Sequence, residues 1–392
     1  MRKHKNSDFL LILITMTLLV AGLVVIYAIS PSRVNYQNAA FSWNLDQKYY
    51  FWHQLVSVAL AVVAFFVAMK LPYKWVSKAA VFVLILGFLL SGALFILGKS
   101  GSSIANCTNG ACRWMNIGPV SVQPVELIKI GLVLYLARLT ARRKKEGTID
   151  KIEYLIPFFV MSGISLAFAV VLQRDLGSGI VLIGIIMAIF AMSGVKWWKV
   201  AGVVGMILVF AVFAILTSPV RMERVRTFLN NEGDGANSYH IEHAMIAMGS
   251  GGLFGVGICN SVEATGYLPE SINDSVFAVM GETFGFFGLC VIILLFLALV
   301  LRIFRAGKGI EIEGKNIRGM SEEEQLMREE KKFVCIGVGA WILVQASVNM
   351  GAMTGVIPLT GITLPLLSYG GTSMIITAVA LGIVTKISKE TE

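Results

Sequence analysis

The chain has 392 residues, of which 56% are hydrophobic and only 15% are charged. A water-soluble protein of this length needs more polar surface, so the composition excludes a soluble enzyme and predicts an all-α integral membrane protein. The formal net charge of +9 does not indicate nucleic-acid binding, because no basic patch is interleaved with aromatic residues on a soluble domain.

Apolar stretches close to the ~20 residues that cross a bilayer follow one another with short breaks. They cover residues 8–29, 52–69, 79–97, 121–139, 154–172, 176–193, 197–217, 275–301, 333–355 and 367–386. The pattern predicts about ten transmembrane helices in a single polytopic domain that spans residues 1–392. The first stretch is too long for a cleavable signal peptide and has no clear small-residue cleavage site.

The lysine and arginine residues predict the orientation of these helices. Basic residues precede the first apolar stretch and follow the second, fourth, sixth and eighth. With ten spans, all of these gaps lie on one side, which the positive-inside rule makes the cytoplasm. We therefore expect both termini in the cytoplasm of a cell-membrane protein. A cytoplasmic loop is expected at about 303–332, and a large extracytoplasmic loop at about 218–274, between helices seven and eight.

Two cysteines, Cys107 and Cys112, share the short segment CTNGAC, which this orientation places outside the cell. They either form a disulfide, if the compartment is oxidising, or remain free thiols. A zinc site is disfavoured, because no other cysteine or histidine lies in that segment.

The large outer loop contains the segment RMERVRTFL, in which Met222, Val225 and Phe228 recur at helical spacing. Arginines, including Arg224, occupy the remaining faces, so the segment is predicted to be an amphipathic helix on the outer leaflet. The arginines form either a solvated helix face or a binding site for phosphate or pyrophosphate, which suits the planar guanidinium group.

The fourth apolar stretch carries two charges, Glu126 and Lys129, which share one helix face because they are three residues apart. Pro124 fits the first turn of that helix. The two charges either neutralise each other within the span or face a substrate. Arg113 lies just outside this stretch, and Asp175 lies on the same side between the fifth and sixth stretches. Charges converging from separate segments predict a polar cavity that opens outward.

Three acids lie in LPESINDSVFAVMGE, residues 268–282. An acid inside hydrocarbon costs at least a few kcal/mol, so it usually has a partner or a task. Glu282, about two turns inside the eighth stretch, is expected to be structural and to pair with another helix. Glu270 is expected in a loop or helix cap. Asp274, at the mouth of the stretch, is the candidate for chemistry.

Five segments occur in the order in which the SEDS family, the membrane proteins of shape, elongation, division and sporulation, has its motifs. They are RWMNIGPVSVQPVELIKI, QRDLGSG, GSGGLFGVG, YLPESINDSVFAVMGE and NMGAMTGVIPLTGITLPLLSYGGTS. Nearly the whole chain therefore resembles this family, and the stretch GICNSVEATGYLPE is more similar to its division member than to its elongation member.

The resemblance implies a peptidoglycan glycosyltransferase that polymerises lipid II on the outer face of the membrane. It also implies a class B penicillin-binding protein as the transpeptidase partner, alongside other division or elongation proteins. The family's catalytic aspartate lands on Asp274, and its important glutamate and lysine land on Glu126 and Lys129. The chain also departs from the family pattern. Arg174, Val125, Ser275 and His240 stand where proline, serine, phenylalanine and glutamine are usual.

Glycosyl transfer between lipid-linked sugars needs a base for the acceptor hydroxyl and positive charge for the departing diphosphate. Asp274 is placed to be that base. Arg113, Lys129 or a bound divalent cation, Mg²⁺ or Mn²⁺, are the candidates for the positive charge. The alternatives are a lipid II flippase or other transporter, and a noncatalytic scaffold of the division machinery. A transporter's charges should continue through the midplane, whereas these cluster on the outer side.

Overall fold

The computed structural model describes residues 8–42, 44–108, 111–117, 120–216, 222, 236–313 and 320–391. The helices are α1 Phe9–Phe41, α2 Tyr49–Lys70, α3 Tyr73–Lys99, α4 Pro124–Lys145, α5 Ile152–Leu166, α6 Leu176–Met192, α7 Trp197–Leu216, α8 Ala236–Ser250, α9 Val276–Glu313, α10 Glu322–Met353 and α11 Gly371–Thr391. A π-helical segment, Ala167–Leu172, extends α5, and a short 3-10 turn covers Glu263–Thr265.

Among the described residues, seven helices are long and apolar enough to cross a membrane. They are α1, α2, α3, α5 with its π-helical extension, α9, α10 and α11. α6 and the first part of α7 are apolar but shorter. The chain is therefore a helical, multi-pass membrane protein, as its composition predicts.

Helix α4 does not have the composition of a lipid-facing span, because it carries Glu126, Lys129 and Arg138 along its length. Most of its side chains are buried, and it packs against α3, α6 and α10. A helix enclosed by other helices can keep charges that would be costly against lipid, provided that they find partners.

A small antiparallel sheet lies between α3 and α4, in the order β1 (Ala105–Thr108), β2 (Ala111–Ile117), β3 (Val120–Val122). The sequence predicts only helices and not this sheet, because strands this short produce little alternation of hydrophobic and polar residues. Cys107 lies opposite Cys112 in the β1–β2 register, and the two form a disulfide with an S–S distance of 1.97 Å. The sheet positions Arg113 and Trp114 beside the beginning of α4.

Two segments expected to be loops are partly helical. α9 continues to Glu313 and α10 already begins at Glu322, so most of the expected loop at 303–332 is helix. A capping box between Ser321 and Glu324 starts α10, and such polar helix ends carry no hydropathy signal. The expected outer loop at 218–274 contains α8. Of the predicted amphipathic helix, only Met222 is among the described residues, and Arg224 lies outside them.

Helix α9 is broken at Gly285, which has φ 68° and ψ −169°. The segment after α8 packs into this break: Val256 N donates to Glu282 O at 2.9 Å, and Phe286 N donates to Gly252 O at 2.9 Å. Backbone groups freed at a kink must be satisfied by other protein groups where no water is available. The break is therefore held by hydrogen bonds between α9 and this segment.

Glu282 is structural, as expected, but its partner is a loop rather than another helix. Its Oε1 accepts hydrogen bonds from Val262 N at 2.7 Å and Glu263 N at 3.3 Å. Its Oε2 accepts a hydrogen bond from Ser261 Oγ. A buried carboxylate satisfied by several donors is tolerated in an apolar segment, so Glu282 fixes the 3-10 turn against α9.

Candidate active site

A polar cavity lies where β2, the beginnings of α4 and α6, and the α10–α11 connection (residues 354–370) meet. It is lined by Arg113, Trp114, Gln123, Glu126, Asp175, Ser178, Gly361, Ile362 and Thr363. Two helices therefore begin at this cavity, α4 at Pro124 and α6 at Leu176. Helix N-termini carry partial positive charge and favour an anionic ligand.

The charged pair of α4 is formed in the structure: Lys129 Nζ lies 2.7 Å from Glu126 Oε1. Lys129 is fully buried, donates to Gln345 Oε1 at 3.0 Å, and lies 5.1 Å from the centre of the Trp341 ring. It is absent from the cavity lining, whereas Glu126 lines the cavity. Glu126 Oε2 has no hydrogen-bond partner among the described residues. The two charges thus neutralise each other, and only the glutamate also faces the cavity.

Arg113 is the positive charge on the cavity wall. Its Nη2 donates to the backbone oxygen of Arg174 at 2.8 Å, which anchors the guanidinium to the turn before α6. Arg174 has a left-handed conformation with φ 52°. The Nε of Arg113 is buried and has no hydrogen-bond partner among the described residues. Its charge therefore remains available to an anion in the cavity.

Asp175 is the N-cap of α6. Its Oδ1 accepts from Ser178 N at 3.1 Å, and its Oδ2 accepts from Ser178 Oγ at 2.7 Å and Gln123 Nε2 at 3.3 Å. These contacts join the starts of α4 and α6. Asp175 lines the cavity, as its position in the sequence predicts, but both of its oxygens already accept hydrogen bonds.

Asp274 lies in the turn just before α9 and is 8% exposed. Gly361, in the cavity wall, has φ +69°, and a Cβ added to it would be 3.8 Å from Asp274 Oδ2 and 4.0 Å from Arg113 Nη1. The carboxylate and the guanidinium therefore flank a single glycine of the cavity wall. The positive φ at this position favours glycine, because L residues rarely adopt this conformation.

Two site residues were missed from the sequence, Gln345 and Asn349 of α10. Both are buried, and both donate to backbone oxygens of the cavity wall, Thr363 O and Ile362 O. The sequence contains a signal that could have identified them, because two amide side chains one helical turn apart lie inside the apolar stretch 333–355.

Helix α8 contacts the turn that carries Asp274. His240 Nε2 lies 2.6 Å from Ser275 Oγ, and Ser275 Oγ donates to Pro269 O at 2.8 Å. Because the serine proton is used on Pro269, His240 donates and Ser275 accepts. His240 and Ser275, which both differ from the SEDS pattern, are thus in direct contact.

Among the described residues, no group of three or more His, Cys, Asp or Glu side chains is arranged as a metal site. Glu126 nevertheless lines the cavity, and its buried Oε2 has no hydrogen-bond partner among the described residues. This donor set fits a hard cation that takes one protein carboxylate and completes its coordination with water and phosphate oxygens, as Mg²⁺ commonly does.

Comparison with known proteins places the chain among relatives along its whole length. Residues 8–392 match the family of FtsW, RodA and SpoVE, described as "Cell cycle protein". The chain is 32% identical over 385 residues to the probable peptidoglycan glycosyltransferase FtsW of Aliivibrio salmonicida, covering 98% of this chain and 89% of that one. It is 31% identical over 393 residues to stage V sporulation protein E of Bacillus subtilis, covering 99% and 98% of the two chains.

Two solved structures show the same fold. A chain in the structure of a peptidoglycan synthase complex that coordinates polymerization and crosslinking matches with a TM-score of 0.70 and 22% identity, covering 98% of both chains. The rod shape determining protein RodA of Thermus thermophilus matches with a TM-score of 0.64 and 22% identity, covering 98% of this chain and 97% of that one.

Proposed function

This chain belongs to the FtsW/RodA/SpoVE family of cell cycle proteins, and we infer that it is a peptidoglycan glycosyltransferase. It polymerises lipid II into glycan strands on the outer face of the cytoplasmic membrane during cell division or elongation. The observation that carries this conclusion is that the Asp274 carboxylate and the Arg113 guanidinium both lie close to Gly361, a residue of the polar cavity wall.

We propose that Asp274 is the general base. It takes the proton from the acceptor sugar hydroxyl as that oxygen attacks the anomeric carbon of the donor, and the bond to the donor's diphosphate breaks. Its position supports this role, because the side chain is only 8% exposed and its Oδ2 lies close to Gly361 of the cavity wall, as Arg113 Nη1 does.

Arg113 and the N-termini of α4 and α6 are the proposed stabilisers of the departing diphosphate. They supply positive charge where negative charge develops in the transition state. Arg224 remains a proposed contact for the same phosphate oxygens from the outer loop. Asp175 shapes the wall and joins α4 to α6. A divalent cation, Mg²⁺ or Mn²⁺, would be held by Glu126 and would neutralise phosphate charge.

Lys129 receives a different role from the one its motif position implies. It lies behind Glu126 and is held by Gln345 and Trp341, so we propose that it serves as the ion-pair partner of Glu126 rather than meeting the diphosphate itself.

We further propose a number of membrane spans, an outer loop and a protein partner. α4, α6 and α7 complete a set of ten spans with the seven long apolar helices, and a large loop outside the cell joins α7 to α9. A class B penicillin-binding protein supplies the transpeptidase, together with other division or elongation proteins. The fold similarity to a chain in a complex that coordinates polymerization and crosslinking supports such a partner.

Polymerisation of lipid II by the purified protein with its transpeptidase partner tests this function. We expect glycan chains whose formation requires both Asp274 and Arg113. Movement of lipid II across vesicle membranes without chain formation would instead indicate a flippase. Inactivity in both assays, with partner binding retained, would indicate a scaffold.

The proposed orientation predicts which residues external reagents can reach. Single cysteines introduced in a variant without accessible native thiols should be labelled from outside intact cells at Asn237, but only after permeabilisation at Lys144. Lys144 lies in the basic last turn of α4, where the positive-inside rule predicts cytoplasm. External labelling at position 144 in intact cells would overturn this orientation.

A further inference from the structure

Asn349 contacts both sides of the proposed reaction site. Its Nδ2 donates to Asp274 O at 2.7 Å and to Ile362 O at 2.7 Å, and the side chain is 1% exposed. The amide orientation is determined by these contacts, because a reversed amide would place its oxygen against two carbonyl oxygens. A single side chain therefore fixes the backbone that carries Asp274 to the backbone of the cavity wall.

Gln345 makes the matching connection one turn earlier on the same face of α10. Its Nε2 donates to Thr363 O at 3.0 Å, and its Oε1 accepts from Lys129 Nζ at 3.0 Å and Trp341 Nε1 at 2.7 Å. Lys129 in turn binds Glu126. α10 thus holds adjacent carbonyls of one cavity wall, Ile362 and Thr363, with two amides that also contact Asp274 and the Glu126–Lys129 pair.

We propose that Asn349 and Gln345 are positioning residues, which hold Asp274 and the Glu126–Lys129 pair in fixed positions relative to the cavity wall at Ile362 and Thr363. Neither amide lines the cavity, so each acts through the backbone and side chains that it holds. The proposal rests on the proposed function, in which Asp274 is the base.

The expected effect is on the rate of reaction rather than on substrate binding. A displacement of about 1 Å at a reacting group costs on the order of 10²-fold in rate. The surfaces that meet the two lipid-linked sugars remain in Asn349→Leu, which has the same branched arrangement of side-chain heavy atoms and lacks both donors. We expect its kcat for polymerisation to fall ~10–10²-fold, with KM for lipid II changed by less than about threefold.

Two further variants separate positioning from folding. Asn349→Ser leaves one donor and provides a smaller change if the leucine variant is not recovered. Gln345→Glu keeps an acceptor for Lys129 and Trp341 but loses the donor to Thr363 O. We expect kcat to fall in both.

Gln54→Leu is the matched control. Gln54 is another fully buried amide that donates to the same α10–α11 connection, at Ser368 O, 3.4 Å away, and it does not line the cavity. All variants are compared in the full-length protein with its partner, with melting temperature measured beside kcat and KM. We expect the control to retain its kcat even where its melting temperature falls.

A folded Asn349→Leu protein with wild-type kcat, beside an inactive Asp274→Asn protein, would overturn the positioning role and leave the proposed function intact. A loss of kcat in Gln54→Leu as large as that in Asn349→Leu would also overturn it. The loss of kcat would then reflect the removal of any buried amide and the resulting loss of stability, not the position of Asp274. Wild-type polymerisation by Asp274→Asn would overturn the base assignment and this proposal together.

Discussion

We expect the Asp274→Asn variant to polymerise lipid II about 10²–10⁴-fold more slowly than the wild-type protein, which is the usual cost of losing one general base. Asparagine has nearly the same size and keeps a carbonyl acceptor, but it cannot take a proton from the sugar hydroxyl. The backbone oxygen of residue 274 still accepts from Asn349 in this variant. Folding, insertion and partner binding should therefore persist. Glycan chain formation from lipid II, with each purified variant beside its partner, measures the loss.

Glu270→Gln is the control for this experiment. Glu270 lies in the same turn but is exposed, and its Oε2 accepts from Asn273 Nδ2 at 2.5 Å. A glutamine keeps an acceptor for that contact, so activity should change much less than in Asp274→Asn. Chain formation by Asp274→Asn at close to the normal rate would show that the base assignment is wrong and would favour the flippase or the scaffold.

Exchanging Glu126 and Lys129 should reduce polymerisation by ~10²-fold or more, although the exchange preserves net charge and a three-residue spacing. In the wild-type protein the lysine is the inner partner, donating to Gln345 Oε1 behind the cavity wall. After exchange, a carboxylate faces that oxygen, and an ammonium replaces the carboxylate that lines the cavity. The cavity would therefore lose its negative group, and the network behind it would gain two facing acceptors.

A matched variant separates the two consequences of the exchange. Glu126→Gln keeps a carbonyl oxygen for Lys129 but removes the negative charge from the cavity. We expect it to insert and bind the partner while polymerising poorly. Lys129→Met, in contrast, leaves a buried carboxylate without its cation and should cost about 3–5 kcal/mol of stability. Wild-type polymerisation by the exchanged variant would show that the pair serves only to neutralise its own charges.

Membrane class, most helix positions and the α4 pair follow from local sequence, because each depends on residues within one helix. Apolar length determines whether a segment can lie in lipid. The spacing of Glu126 and Lys129 brings them together on any α-helix, and the structure shows this contact. The polar ends of α9 and α10 were predicted to be part of a loop. Local sequence does not distinguish the two, because a polar helix end and a loop have similar hydropathy.

The motifs around Asp274, Arg113 and Gly361 identify the family, but only tertiary structure brings these three residues together. They come from the turn before α9, from β2 and from the α10–α11 connection, and any two of them are more than 80 residues apart in sequence. The tertiary structure also distinguishes Glu126 from Lys129. Both are charged and lie on one face of α4, but only Glu126 lines the cavity. Which side of a helix faces a cavity depends on the helices packed around it, and on α10 Gln345 accepts from Lys129 behind the cavity wall.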